Sequence, residues 1–545
     1  MACHCLGFLT DPGDHRLIPQ RWQEFLNEQR RQRTEQNLAR KIRILRHQPA
    51  GRVLLGSQEL VNFSSNDYLG LASDLRIAEA AARAAGRYGW GAGGSRLVTG
   101  TSVVHHELEG AVAKFRGTEA ALVFGSGYHA NLGLVSALAG AGDTLFSDAL
   151  NHASIIAACR LSGGDVRVYK HRDYDELERL LSGSSAKGKR LIITDSLFSI
   201  EGDSIDCARL LKLSERFEAL LVLDDAHANA VLGKRGRGVA EVQNVSARID
   251  LVTASFSKAL GSFGGFVACS REVRDFLVNS SRPFIFSSAM PITLAAANIE
   301  ALRIVAAEGE NLRQKLAGLV RTLRTKLQAA GFEAKGEHQI IPIVVGDEQK
   351  ALAYSEALEN QGMLVHPMRF PTVPRGQAML RVSVSAAHTD DDIYRLVNAF
   401  KIARDKVTGK GTGKVARREA KRPDETIEVL DDSTMTGLNF SEVQALMAEA
   451  MSVEAGGDEP TDLAPKPAAP AEAPELAPSG TATIVKPESE AQADATTSAE
   501  TLHPELAVEP ELPKEDPPLA SDGDAKTVRR TQRVKKGHTR IHKKV

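Results

Sequence analysis

Lys258 stands in the segment Val252-Thr-Ala-Ser-Phe-Ser-Lys-Ala-Leu-Gly261. It follows an apolar run, Ile249 to Ala254, and precedes a glycine-rich stretch. Upstream, a second apolar run, Ala219 to Leu223, ends in Asp224-Asp225-Ala226-His227. A lysine and an acid placed this way suit pyridoxal phosphate. The lysine amine holds the cofactor as a Schiff base, and a carboxylate keeps the pyridine nitrogen protonated so that the ring draws electrons. The implied substrate class is an amino acid.

Other residues fall into the same pattern. In open α/β sheets ligands sit at the carboxyl ends of strands, where Asp224 is expected to meet a cationic ring nitrogen. The competing role for Asp224 is a helix cap after its strand. His227 would present its imidazole to the same pocket, within reach of the cofactor's phenolic oxygen. Ser255 offers a hydroxyl for a phosphate. Gly125-Ser-Gly-Tyr-His-Ala-Asn131 follows a strand and opens a helix, so its backbone N–H groups make an anion site, unless it is an ordinary glycine turn. Asn151-His152-Ala-Ser154 places an imidazole able to stack on an aromatic ring. Leu197-Phe-Ser-Ile-Glu-Gly202 puts Ser199 at the same sheet edge. Arg381, in Leu380-Arg-Val-Ser-Val-Ser-Ala-Ala-His388, either grips a carboxylate bidentately or pairs with a structural acid. Gly89, Gly91, Gly93 and Gly94 mimic a dinucleotide fingerprint but follow a helical pattern, so that reading fails its context test; a loop over a substrate channel fits better.

Such side chains need a frame. From about residue 61 to 285, short apolar runs alternate with helical patterns: Ala120–Phe124, Thr144–Phe146, Val166–Tyr169, Arg190–Thr194, Ala219–Leu223 and Leu251–Ala254. That alternation predicts an α/β fold with a mostly parallel sheet covered on both faces. Residues 286–405 predict a smaller α/β unit. It has a long helix at about 292–330, strands at Gln339–Val345, Met363–His366 and Met379–Ser383, and helices at about 349–361 and 389–405. Residues 1–60 form an N-terminal arm, with one amphipathic helix expected over 20–47. Residues 406–545 change character. A Lys/Arg/Gly-rich start leads into an acidic stretch rich in Pro, Ala, Glu, Ser and Thr, too apolar-poor to offset chain entropy; a disordered tail is expected. Ser441-Glu-Val-Gln444 is a capping box opening a short amphipathic stretch, read as a transient helix, with the alternative that it docks on a partner, as the tail of a non-catalytic binding protein would. The last stretch, Lys526 to Val545, is basic. It suits nucleic acid or an acidic partner, or is merely solvated.

Bulk composition excludes several classes. The net charge of −1 averages acidic and basic blocks. Five scattered cysteines argue against a disulfide framework and for a reducing cytoplasm. Cys3-His4-Cys5 lacks a second ligand pair, and His538 with His542 lacks a third ligand, so no metal is expected. No apolar run reaches the roughly 18 residues of a membrane span, and no secretory signal is visible.

Over about residues 20–405 the blocks quoted above, in this order, resemble the α-oxoamine synthases. The likeness rests also on Ser-Ser-Asn-Asp-Tyr-Leu-Gly, Gly-Gly-Ser-Arg-Leu-Val-Thr-Gly and His105 with Glu107-Leu-Glu109. The family implies a dimeric, fold-type-I pyridoxal-phosphate enzyme that joins an amino acid to an acyl thioester with loss of carbon dioxide. Phe370-Pro-Thr-Val-Pro-Arg-Gly and the closing Ala-Ala-His-Thr are most similar to members that use L-alanine and a pimeloyl thioester; glycine-using relatives carry similar endings. By the same resemblance Lys258 is the Schiff-base lysine and moves the Cα proton. Asp224 pairs the pyridine nitrogen, His152 stacks on the ring, and His227 and Ser199 lie near the phenolic oxygen. Gly127, Tyr128 and Ser255 hold the phosphate region, and Ser288 reaches it from the partner subunit. Asn66 and Arg381 meet the amino acid, and Arg40 matches an acyl-chain contact. The chain departs at Ala228-Asn-Ala230, where Gly-Thr-Gly is usual, and at Phe286, where tyrosine is common.

Overall fold

The computed structural model describes residues 18–409, apart from 41, 185–186 and 250. Among them the chain forms an α/β structure with sheets of seven, four and three strands. The large sheet comprises β1 (Ala120–Phe124), β2 (Thr144–Asp148), β3 (Asp165–Tyr169), β4 (Arg190–Asp195), β5 (Ala219–Asp224), β6 (Leu251–Ser255) and β7 (Gly265–Cys269). Its order is β1-β7-β6-β5-β4-β2-β3. Strands β3, β2, β4, β5 and β6 are mutually parallel, and β7 runs antiparallel to both neighbours.

The strands read as continuous apolar runs because both faces are covered. Leu221 and Leu223 of β5 point into one core with Phe146, Ile192 and Val252. Val222, between them, points into a second core with Leu134, Ile155 and Val267. Each such buried side chain contributes roughly 1.5–3 kcal/mol. The helix Ile292–Ala329 packs on helices Leu75–Tyr88 and Val103–Arg116. The three-stranded sheet is antiparallel, with Ala378–Ser383 between Ile340–Gly346 and His366–Met368. Helix Glu348–Glu359 lies against it. The four-stranded sheet joins distant parts of the chain. Strands Arg46–Gln48, Arg52–Leu55 and Gln58–Asn62 run as a meander, and Met363–Leu364 pairs parallel to the last of them.

Two sequence expectations change. The helix expected over 20–47 spans only Gln20–Glu35, and none of its residues is buried. With Trp22 and Phe25 exposed, no packed face propagates the helix, and Asn37 at φ 56° turns the chain out of it. The segment Met363–His366 is split between two sheets. Cys3-His4-Cys5, the Ser441 capping box, the acidic stretch, His538, His542 and the basic end lie outside the described residues.

A charged cluster ties the turns that follow β2, β3 and β4. His171 Nδ1 lies 3.0 Å from Asp148 Oδ1, and its Nε2 lies 3.1 Å from Asp203 Oδ2. Arg172 Nη1 donates to the same Asp203 oxygen at 2.9 Å, and the Arg172 backbone N–H donates to Asp148 Oδ2. Burial opposes a charge on His171, but the hydrogen bonds to Asp148 and Asp203 outweigh it and push its pKa up to about 9. The folded value therefore exceeds the ordinary value of about 6.5. The resulting stability, up to about 3 kcal/mol, is complete below about pH 6.5 and lost as pH rises through 9. Thermal unfolding should thus fall in midpoint as pH rises from neutrality through 9, and His171→Phe should flatten the decline. An equal decline in the variant would remove His171 as its source.

Candidate active site

Parallel strands end on one side of a sheet, and that geometry gathers residues far apart in sequence. Asp195 ends β4 directly opposite Asp224, which ends β5. Ser255 ends β6, and the turns beyond these strands carry Ser199, His227 and Lys258.

Asp224 is buried and held from two directions. Asn131 Nδ2 donates to its Oδ2 at 2.6 Å, and the Ala226 N–H donates to its Oδ1 at 2.8 Å. Asn131 is oriented in turn: its Oδ1 accepts from Thr253 Oγ1 at 2.7 Å, and its Nδ2 also reaches Ser154 Oγ at 2.9 Å. Ser154 then faces His152 Nδ1, at 2.7 Å from its Oγ and 3.2 Å from its backbone N–H. With both Ser154 groups directed at Nδ1, the His152 proton sits on Nε2. Burial lowers the His152 pKa, and the nearby Lys258 charge adds to that while Asp224 opposes it. Asp195 accepts from the His152 backbone N–H at 2.6 Å. Its own pKa is raised well above the usual range, first by burial and then by the charge of Asp224. Burial and the adjacent Asp224 carboxylate thus both favour the protonated form of Asp195.

Lys258 is half-buried in the turn after β6, where its carbonyl accepts from the Gly261 N–H. Burial pulls its pKa down, against the attraction of Asp224. Beside it lies a cradle of backbone. Gly127 and Tyr128 open the helix Gly127–Leu138, capped by Ser126 through the His129 N–H. First-turn N–H groups have no intrahelical acceptor and face an anion. A Cβ on Gly265 would stand 2.4 Å from the Gly127 nitrogen, so only glycine lets β7 approach this turn. Ser255 Oγ completes the cradle, donating to the Gly264 carbonyl and accepting from the Ser257 N–H.

On the other side, Tyr68 OH lies 2.6 Å from His227 Nδ1 and 3.0 Å from Asn66 Oδ1. Burial, then the charges of Lys258, Arg381 and His152, holds His227 well below its usual pKa, so its ring is neutral. Arg381 Nε donates to the Ser199 carbonyl at 2.5 Å and Nη1 to Ser383 Oγ at 2.7 Å. Its Nη2 reaches Asn66 Oδ1 at 3.2 Å and Tyr68 OH at 3.3 Å. All four acceptors are uncharged. Among the described residues no carboxylate forms an ion pair with this buried guanidinium, which leaves its charge for an anionic ligand.

Two expected positions lie apart. Arg40 is exposed and donates to Thr372 Oγ1 at 3.2 Å. Ser288 is exposed and bridges to Ser95, with no hydrogen bond among the described residues to the Asp224 cluster. The unusual Asn229 is buried and accepts from Arg116 Nη1, so that substitution serves the interior. Ala230 beside it has φ 64°, a conformation that explains why glycine is common there. Asn131, Thr253, Ser154, Asp195 and Tyr68 escape sequence reasoning. All five sit in or beside the quoted motifs, but which of them face inward depends on the pairing of remote elements.

The set fits pyridoxal phosphate: an amine-bearing lysine, a charged acid for the ring nitrogen, a neutral imidazole and a backbone anion cradle. Asn131→Ala would leave a buried charge short of a donor, a loss of about 1.5–3 kcal/mol. Retention of pyridoxal phosphate, followed by its absorbance during dialysis, should weaken by about 10–100-fold. Unchanged retention would show that Asn131 does not support the ring.

The aminotransferase class I and II family model matches residues 58–400. Over 366 residues the chain is 45% identical to the 8-amino-7-oxononanoate synthase of Geotalea daltonii, covering 67% of this chain and 93% of that one. Among solved structures it is similar to a serine palmitoyltransferase from S. paucimobilis with pyridoxal phosphate and myriocin bound. The identity is 28% and the TM-score 0.68, over 71% of this chain and 98% of that one. The 8-amino-7-oxononanoate synthase of Francisella tularensis matches with 26% identity and a TM-score of 0.56, over 64% and 98%. The chain belongs to the aminotransferase class I and II family and, within it, to the α-oxoamine synthases.

Proposed function

We propose that the protein is a pyridoxal-phosphate-dependent acyltransferase of biotin synthesis. It condenses L-alanine with a pimeloyl thioester, on coenzyme A or a carrier protein, to give 8-amino-7-oxononanoate, carbon dioxide and free thiol. The observation that carries this reading is a half-buried Lys258 beside Asp224, with an unpaired Arg381, in a chain 45% identical to an 8-amino-7-oxononanoate synthase.

Bound pyridoxal phosphate supplies the electron sink for bond breaking at the amino acid's Cα. Asp224 keeps a proton on the pyridine nitrogen, and the Asn131–Thr253 pair keeps Asp224 aimed. Lys258 Nζ would hold the cofactor and would take and return the Cα proton; burial favours the neutral amine that this transfer needs. His152 would stack on the ring, His227 and Ser199 would serve its phenolic oxygen, and Gly127, Tyr128 and Ser255 would take the phosphate. Arg381 grips the substrate carboxylate beside Asn66 until it leaves as carbon dioxide. Arg40 lies on the approach for the acyl chain.

A homodimer belongs to the same reading, with Ser288 completing the partner's phosphate site. Trp90, Val98 and Phe286, around the Ser95–Ser288 bridge, are each about 70% exposed or more, an apolar surface suited to a second copy. Residence in the cytoplasm is supported by the unpaired Cys159, Cys207 and Cys269. No described helix is long and apolar enough to cross a membrane.

Thiol release with pimeloyl-CoA and L-alanine tests the reaction, with glycine and L-serine run in parallel because the fold is also that of a serine palmitoyltransferase. Release should require both substrates, prefer L-alanine and vanish in Lys258→Ala. A preference for glycine or serine would move the protein to a sister activity, and normal turnover without Lys258 would sink the assignment. Arg381→Lys should raise the KM for the amino acid by about tenfold or more, since a point charge replaces a bidentate fork. An unchanged value would free Arg381 from that role.

A further inference from the structure

We propose that His171 is a positioning residue that clamps together the two turns flanking the substrate site and so holds Arg381 in register. The proposal rests on the reading of Arg381 as the carboxylate anchor.

His171 touches neither Lys258 nor Arg381 through any hydrogen bond, but it joins the segments that place their surroundings. Its Nδ1 bonds Asp148, the last residue of β2. Asp148 Oδ1 also accepts from the Leu150 N–H, and its carbonyl from the Asn151 N–H, shaping the turn that presents His152. Its Nε2 bonds Asp203, which closes the turn carrying Ser199. The Phe198 N–H donates to the Asp203 carbonyl at 2.9 Å, and the Gly202 N–H to the Phe198 carbonyl at 3.0 Å. Phe198 is fully buried with its ring edge-on to the imidazole at 4.3 Å.

The Ser199 turn cannot yield on its far side. A Cβ on Gly202 would stand 2.2 Å from the Ile340 carbonyl, and the Glu337 N–H donates to the Gly202 carbonyl at 2.8 Å. Glu337 also takes the Ser204 hydroxyl at 2.8 Å and Arg172 at 3.2 Å. Strand Ile340–Gly346 is the neighbour of the strand that carries Arg381, with Pro342 opposite it. The turn is thus a wedge between the His171 bridge and the Arg381 sheet. The Ser199 carbonyl of this turn receives Arg381 Nε. Two carboxylates claim two donors, and a side chain with one donor or none releases the wedge.

The test uses the holoenzyme, with spectral titration by whichever amino acid the wild type accepts and KM values for both substrates. His171→Phe keeps the packing on Phe198 and removes both donors. Asp203→Asn weakens the same bridge from the other end. Each should raise the dissociation constant and KM of the amino acid by about tenfold or more, the penalty of a small misplacement. Cofactor absorbance and the KM for pimeloyl-CoA should stay as in the wild type. The double variant should be no worse than the poorer single one. Wild-type affinity for the amino acid in both variants would overturn the proposal. So would a parallel loss of cofactor and thioester binding, which marks general loosening. Failure of the L-alanine reading itself would be visible in the wild type, whereas failure of the clamp appears in the variants alone.

Discussion

A carboxylate kept charged inside a protein has to be given donors, and this site is arranged around that requirement. Asp224 is fixed by an amide from one helix and an N–H from its own turn. The same amide reaches Ser154, and Ser154 fixes the tautomer of His152. The neighbouring Asp195 is kept neutral by burial and by that charge. Charge, ring orientation and protonation state therefore follow from one chain of hydrogen bonds. Such networks act as units, because a partly satisfied one is worse than none.

The second requirement is proximity. An anion cradle made of backbone works only where strands and turns approach without side chains between them, and Gly127 with Gly265 provides that. Arg381 presents the opposite case. A buried cation surrounded by neutral acceptors is positioned but not neutralised, so the protein invests stability in a charge whose partner arrives with the substrate.

Much of this was legible in the residues. Six of the seven strands of the large sheet coincide with apolar runs, because strands buried on both faces lack alternation. β7 escaped, since Gly265-Phe-Val-Ala-Cys269 reads as the continuation of a glycine-rich turn. Lys258 and Asp224 stood out by residue type and strand-end position. What sets them in place did not: Tyr68 meets His227 across 159 residues of chain. The helix over 20–47 was overdrawn because composition alone reports amphipathicity, whereas a helix persists where its apolar face finds a surface. The Asp148–His171–Asp203 bridge had no local signature, as its three members lie on three separate turns.

The four-stranded sheet sets the order in which the protein is built. Gln58–Asn62 leaves the ribosome early, yet its parallel partner, Met363–Leu364, is made about 300 residues later. Phe63 likewise waits for Ser383, whose N–H donates to its carbonyl. During that interval the nascent chain carries an open strand edge, the kind of surface that pairs with the wrong neighbour. Emergence of Met363–Leu364, rather than local collapse, lets this sheet close, so long-range pairing governs when the arm joins the fold.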